Sequence, residues 1–340
     1  MRGILGRATV FAGALLGLGL LGSAAAEEPI KLKVSHFLPP MGNSQTKLLQ
    51  PWADRIEKDS NGRIKVEIYP SMQLGGKPPQ LFDQVRTGVA DVVWTLPSYT
   101  PGRFPLVEVF ELPFMTANTA EATTQAVWDF YQKYLKEEFK DVHVLLLHTH
   151  APGLIHMKDK AVTTQDELLG KKIRLPTKSI GDALKALGAV PVGMPVPDVY
   201  EALSRGVVDG TLIPWEVVTA TRVNELARHH TVARLYTSVF LMGMNKEKYD
   251  SLPADLKAVI DKNSGSNIIQ EIGKAWDDAE QPAFKQATEL GHEIVDLPPA
   301  ERERWIKATR PVVDAWIART PNGQALYDEA AALIKKYDTK

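Results

Sequence analysis

Residues 170–215, GKKIRLPTKSIGDALKALGAVPVGMPVPDVYEALSRGVVDGTLIPW, constrain the fold more than any other stretch of the chain. Three short strand-like runs, KKIRLP, PVGM and VVDGTLIP, alternate with two helical patterns, KSIGDALKAL and DVYEALSR. Gly188 and Gly206 close the two helices. A βαβαβ unit of this kind implies parallel strands joined by right-handed crossovers. Arg174 stands at the end of the first strand, with Pro176 just beyond it. Ligands of open α/β sheets collect at the carboxyl ends of strands. A guanidinium placed there offers a planar fork of donors to a carboxylate.

The same order of elements occurs earlier. KLKVSHF, residues 31–37, alternates apolar and polar residues as a strand does. PPMGNS breaks it, and Asn43 or Ser44 caps a helix running to about Ser60. RIKVEIYP, the helix KPPQLFDQVRTG ended by Gly88, and the almost wholly apolar ADVVWT complete a second β-α-β-α-β unit over 31–95. Two such units predict two α/β lobes. A Pro-rich segment dense in aromatic residues follows, then a helix over about 120–139. The buried strand VHVLLLHTH continues through APGLIHMK as a crossover into the second lobe, and a helix runs on from Trp215 to about Leu226. TSVFLMGMN, residues 237–245, returns to the first lobe. A very long helical pattern from Ala254 to about Leu290 is interrupted by Gly265, Gly273 and Pro282, which predicts a kink or bend. HEIVDL and two helices, about 299–318 and 323–337, end the chain.

The 340 residues suffice for two domains. Residues 1–26 read as a cleavable secretory signal: Arg2 and Arg7, then the apolar VFAGALLGLGLLG, then Ala24-x-Ala26. Removing them leaves 38 basic against 41 acidic residues, a net charge of −3. That balance carries no basic footprint for nucleic acid. The sequence has no cysteine, which excludes disulfides and thiol chemistry. An exported, mildly acidic, cysteine-free chain fits the periplasm.

KLKVSHFLPP, GRIKVEIYPSMQLGG, GKKIR-x-P, LGAVPVGMP-x-x-x-VYEAL-x-x-GVVDG and MNK-x-x-Y-x-x-LP-x-DL-x-x-VI together resemble the DctP-like periplasmic solute-binding proteins of TRAP transporters. The resemblance implies a two-lobe α/β Venus flytrap with a long lobe-spanning helix. It also implies an organic acid as ligand, no cofactor, and the small and large TRAP permease components as membrane partners. Lobe I is expected over 27–151 plus 240–279, and lobe II over 152–239 plus 280–340. In the family the Arg of G-K-x-R-x-P binds the ligand's carboxylate, and that position is Arg174. Leu154 stands where the sialic-acid branch of the family carries a second Arg, and Ile213 where it carries an Asn. Both changes remove polar groups, so a hydroxylated sugar acid would leave hydrogen bonds unmade, at about 1–3 kcal/mol per buried group. A hydrophobic or aromatic monocarboxylate is therefore the expected ligand.

Beside Arg174, the expected site residues are Trp94 and Tyr99, leaving a core strand into the Pro-rich loop, and Phe37, beside Pro39-Pro40. Ile213 and Trp215, at the end of the third strand of the opening unit, and Met194 and Phe240, at strand ends, join them; each has core packing as its alternative. His148, His150 and His156 lack a metal-site spacing; His150 and His156 are expected to donate to a ligand oxygen. His229-His230 reads as surface. GxSxG, HExxH and a phosphate loop after a strand are absent, so no enzyme is expected. A ligand-presenting sensor subunit is the alternative to transport.

Overall fold

The computed structural model describes residues 28–338, and the expected signal segment lies outside them. Eleven strands are described. In chain order they are β1 (Ile30–His36), β2 (Ile64–Tyr69), β3 (Val92–Thr95), β4 (Val142–Thr149), β5 (Leu154–Met157), β6 (Lys172–Leu175), β7 (Val190–Gly193), β8 (Gly210–Ile213), β9 (His229–Val232), β10 (Val239–Asn245) and β11 (Glu293–Asp296). They form two sheets, ordered β2-β1-β3-β10-β4 and β11-β9-β5-β8-β6-β7. The α-helices are α1 (Gln50–Asp59), α2 (Leu81–Arg86), α3 (Ala120–Phe130), α4 (Lys178–Ala186), α5 (Val199–Ser204), α6 (Trp215–Val218), α7 (Lys246–Ser251), α8 (Ala254–Lys262), α9 (Ile269–Glu289), α10 (Pro299–Arg319) and α11 (Gly323–Tyr337).

Both expected β-α-β-α-β units are present. β1 pairs in parallel with β2 and β3, and β6 in parallel with β7 and β8. Each sheet also takes one strand from beyond its own unit that runs antiparallel. β10 lies between β3 and β4, and β5 lies between β8 and β9. The chain therefore crosses between sheets in two adjacent linkers, 150–153 and 233–238, and a third time through α7–α9 to β11. The two linkers are tied together: Gly153 N–H donates to Tyr236 O at 2.8 Å, and Thr237 Oγ1 donates to His150 O at 2.7 Å.

Three expectations are corrected. The helical pattern from Ala254, expected to kink or bend at its interruptions, breaks outright at the first of them. It stops at α8, passes a turn with Gly265 at φ +55°, and restarts as α9. A Cβ on Gly265 would overlap the Trp128 indole, so the turn and that packing need the same glycine. α9 then runs through Gly273 and Pro282, packing on α3 and β4 from the first lobe and on α6 from the second. The helix expected after Trp215 is only α6, followed by a 3-10 turn at Val223–Glu225. His229-His230 is a strand, with His230 fully buried. It lacks a strand's alternation but gains ladders on both sides, to β5 and β11, and tertiary pairing overrides weak local preference. Residues 280–340 also divide: β11 joins the second sheet, while α11 packs on α3.

Candidate ligand-binding site

The carboxyl ends of β1 and β3 and the start of β10 fall at one edge of the first sheet, because β10 runs antiparallel to β3. Four aromatic side chains come together there. Trp94 stacks on Phe240 at 4.5 Å between centroids and 9° between planes. On Phe37 it stacks at 5.0 Å and 28°. Tyr99, from the turn Pro97–Tyr99 after β3, tilts against Phe37 at 5.5 Å. The wall is fixed from behind. Trp94 Nε1–H donates to His148 Nε2 at 2.8 Å, and His148 rests edge-on against Trp276 of α9 at 4.4 Å.

The second lobe brings Arg174 to this wall. β6 is short and buried from Ile173 to Leu175, and Pro176 ends it before Thr177 caps α4. Arg174 is 1% exposed. Its Nε donates to Met194 O at 2.9 Å and its Nη1 to Leu212 O at 3.0 Å. Nη2 has no acceptor among the described residues. A buried cationic donor without a partner is costly, so the guanidinium is held by two carbonyls with one edge free for an anion.

Wall and guanidinium line a partly open pocket between the lobes, with about 380 Å³ of free space that includes open solvent. Phe37, Trp94, Tyr99 and Phe240 from the first lobe line it, with Arg174, Val196, Ile213 and Glu216 from the second. The linkers add His150, Tyr236 and Ser238. A Cβ on Gly153 would overlap the Tyr236 ring, which explains the glycine. The Ser238 hydroxyl is buried without a partner among the described residues. Burial raises the Tyr236 phenol, and the Arg174 charge opposes that shift. Both hydroxyls remain protonated donors at neutral pH.

Three hydrogen bonds join the lobes at the rim, one of them from Asn43 Nδ2–H to Glu216 O at 3.2 Å. Val196 N–H donates to the Tyr99 hydroxyl at 3.1 Å, and Asn43 Nδ2–H donates to Glu216 Oε2 at 2.9 Å. Glu216 sits in the first turn of α6. Glu280 of α9 accepts from the N–H groups of Trp215 and Glu216 at 3.2 and 2.9 Å, so its carboxylate fixes that turn. Burial pushes Glu216 up to about 7, the Asn43 amide and the nearby Trp276 indole N–H opposing it.

Arg174, Trp94, Tyr99, Phe37, His150, Ile213 and Phe240 thus line one cavity, and three other expected residues do not. His156 lies behind β8, hydrogen-bonded to Ile213 O through Nε2 at 3.0 Å and to His230 through Nδ1 at 2.8 Å. Trp215 packs edge-on against His156 and His230, at 5.2 and 4.7 Å. Met194 contributes its carbonyl to Arg174 rather than its thioether to the lining. His150 lines the cavity but does not donate into it. Its Nδ1–H donates to Ala151 O and its Nε2 accepts from Ser238 N–H at 3.1 Å. Burial lowers it to about 4, so it stays neutral. Sequence reasoning missed Tyr236, Ser238 and Glu216. The polar Tyr236-Thr237-Ser238 just before the returning strand was the available signal for the first two.

The described residues contain no group of three or more His, Asp or Glu able to hold a metal. No helix among them is long and apolar enough to cross a membrane. Two α/β lobes, crossed by paired linkers and closing an aromatic cavity around one free guanidinium edge, define a solute-binding protein. Comparison with known proteins carries this to a family. Residues 34–320 match the model of the bacterial extracellular solute-binding protein family 7, DctP, and the chain belongs to that family. It is 30% identical to the C4-dicarboxylate-binding periplasmic protein DctP of Rhodobacter capsulatus, over 90% of this chain and 93% of that one. It is 46% identical to a marine metagenome TRAP solute-binding protein specific for aromatic acids, solved with 3-hydroxybenzoate. That match has a TM-score of 0.89 and covers 92% of this chain and 100% of the other. A TRAP solute-binding protein of Rhodoferax ferrireducens, solved with copurified benzoate, is 42% identical at a TM-score of 0.87, covering 91% and 98%.

Proposed function

We propose that this chain captures an aromatic monocarboxylate in the periplasm and delivers it to the small and large membrane subunits of a TRAP transporter. The observation that carries the reading is the unpartnered Nη2 of Arg174, in a cavity walled by stacked Phe37, Trp94 and Phe240. The carboxylate pairs with the guanidinium edge, assisted by the Ser238 and Tyr236 hydroxyls. The ring packs on the aromatic wall, where such contacts contribute about 0.5–1.5 kcal/mol beyond area burial. Aromatic-acid ligands in two solved relatives and the amino-terminal signal features support the reading. Arg174, Trp94, Tyr99, Phe37, Ile213 and Phe240 are the proposed ligand contacts.

Closure follows from differential affinity: a ligand favours the closed clamp only by what it gains there. The paired linkers that carry Tyr236 and Ser238 are also where the chain passes between sheets, so the groups that meet the ligand sit at the hinge. Binding leads to transfer and not to turnover in this reading.

Titration calorimetry with benzoate, 3-hydroxybenzoate, succinate and a hexuronate tests it. The aromatic acids are expected to bind in the micromolar range or tighter, with a raised melting temperature. Binding of succinate or the hexuronate alone overturns the aromatic reading.

A further inference from the structure

We infer that Glu216 is a specificity-determining residue that accepts a hydrogen bond from a ring hydroxyl, so that the site selects hydroxylated aromatic acids over unsubstituted ones. The inference rests on the aromatic-carboxylate reading and deepens it.

The polar groups of the cavity are sorted by sign. Arg174, Ser238 and Tyr236 are donors that line the cavity, and the proposed carboxylate is placed against them. Glu216 is the acidic side chain in the lining, and it comes from the first turn of α6 at the rim, where Asn43 bonds it across the lobes. Arg174 bonds the carbonyl of Leu212. From Leu212 to Pro214 the chain advances about 7 Å, and Glu216 lies two residues farther, in α6. There it borders both the cavity and an outer groove lined by Pro39, Asn43, Lys47 and Pro282.

A carboxylate facing an anion-binding cavity opposes the ligand's own charge. It favours binding only when the ligand presents a donor to it. The protein leaves room for that donor. Asn43 Nδ2–H takes Oε2, and Glu280 takes the backbone N–H beneath, holding the side chain in place. A phenolic O–H at the ring edge remote from the carboxylate supplies what Glu216 needs, and a charge-assisted bond of this kind is the stronger sort. Burial favours the neutral form of Glu216 near pH 7, and a phenol donor pulls it back to the carboxylate.

Calorimetry with benzoate, 3-hydroxybenzoate, 4-hydroxybenzoate and their methoxy counterparts reads the effect. In the unaltered protein at least one hydroxybenzoate is expected to bind about tenfold or more tightly than benzoate. The methoxybenzoates, which have no donor, gain nothing. Glu216→Leu brings the hydroxybenzoate-to-benzoate ratio to about one. Asn43→Ala, which removes the rim hydrogen bonds that hold Glu216 but not the acceptor itself, is expected to lower the ratio less than Glu216→Leu. Glu216→Gln, isosteric but uncharged, leaves an intermediate ratio and serves if the Leu variant does not fold. A ratio unchanged in Glu216→Leu, or methoxy ligands binding as tightly as hydroxy ones in the unaltered protein, overturns the inference while leaving the aromatic reading intact. Failure of every aromatic acid to bind overturns both.

Discussion

Arg174 has a structural role and a proposed role in binding, and they separate in a variant. Its Nε and Nη1 tie the ends of β7 and β8 through Met194 O and Leu212 O, and its Nη2, without an acceptor among the described residues, is the atom proposed to meet the ligand. Arg174→Lys keeps the charge but loses the fork. Its affinity for an aromatic acid is expected to fall about 10–100-fold, as one charged hydrogen bond of about 1.5–3 kcal/mol is lost. Arg174→Met loses more affinity and also lowers the melting temperature without ligand, because two buried carbonyls lose their donors. Calorimetry and thermal melts read the two effects apart. A Lys variant with undiminished affinity contradicts the role. Arg174 was legible in the sequence because its motif and its strand-end position coincide within seven residues. Tyr236 was not, because it meets His150 and Gly153 only when two linkers more than eighty residues apart run side by side.

Among the elements, α9 does most to set how the lobes meet. It packs on α3 through Gly273, where a Cβ would come within 2.5 Å of Glu121 Cα. Helix propensity alone makes replacing a helical glycine favourable by up to about 1 kcal/mol. Here the neighbour is backbone and cannot yield, so sterics win. Gly273→Val is expected to destabilise by about 1–3 kcal/mol, seen as a lower denaturation midpoint in urea. An unchanged or higher midpoint shows that α3 and α9 can separate freely. Asp277, one turn on, accepts from the N–H groups of Ala120 and Glu121 at 2.6 and 3.0 Å, anchoring the start of α3. The sequence marked Gly273 as an interruption of the helix. It is the contact surface of the helix, a distinction that periodicity cannot make.

Across the whole molecule, buried titratable groups set the dependence of stability on pH. Burial lowers His36, His150 and His156 to about 4 and His148 to about 3. The folded chain thus binds fewer protons than the unfolded one between about pH 6.5 and 4, and this contribution is lost as pH falls through that window. Burial raises Glu111 and Glu280 to about 8, and Glu138 and Glu216 to about 7. These groups hold protons the unfolded chain has released, so their contribution is full below about pH 4.5 and is lost as pH rises through 7–8. Between about pH 4.5 and 6.5 the two slopes oppose each other. The melting temperature is therefore expected to be flat there and to fall on both sides, as a thermal scan from pH 3 to 9 would read. A melting temperature that climbs from pH 7 to 8 contradicts the assignment of the buried carboxyls.

The sequence by itself determined the two parallel units, the family, the strand-end position of Arg174 and the apolar character of Ile213. These rest on short-range patterns, strand and helix periods and one motif, which need no distant partner to be read. Tertiary structure decided which aromatic residues form the wall, that His156 and Trp215 stand behind it, and that Glu216 reaches the rim. It also decided that Leu154 and Ile213 are direct cross-strand partners. The reason is geometric. The cavity is built where an antiparallel return strand, two linkers and a helix from different parts of the chain converge, and no local pattern records which side chains then face inward.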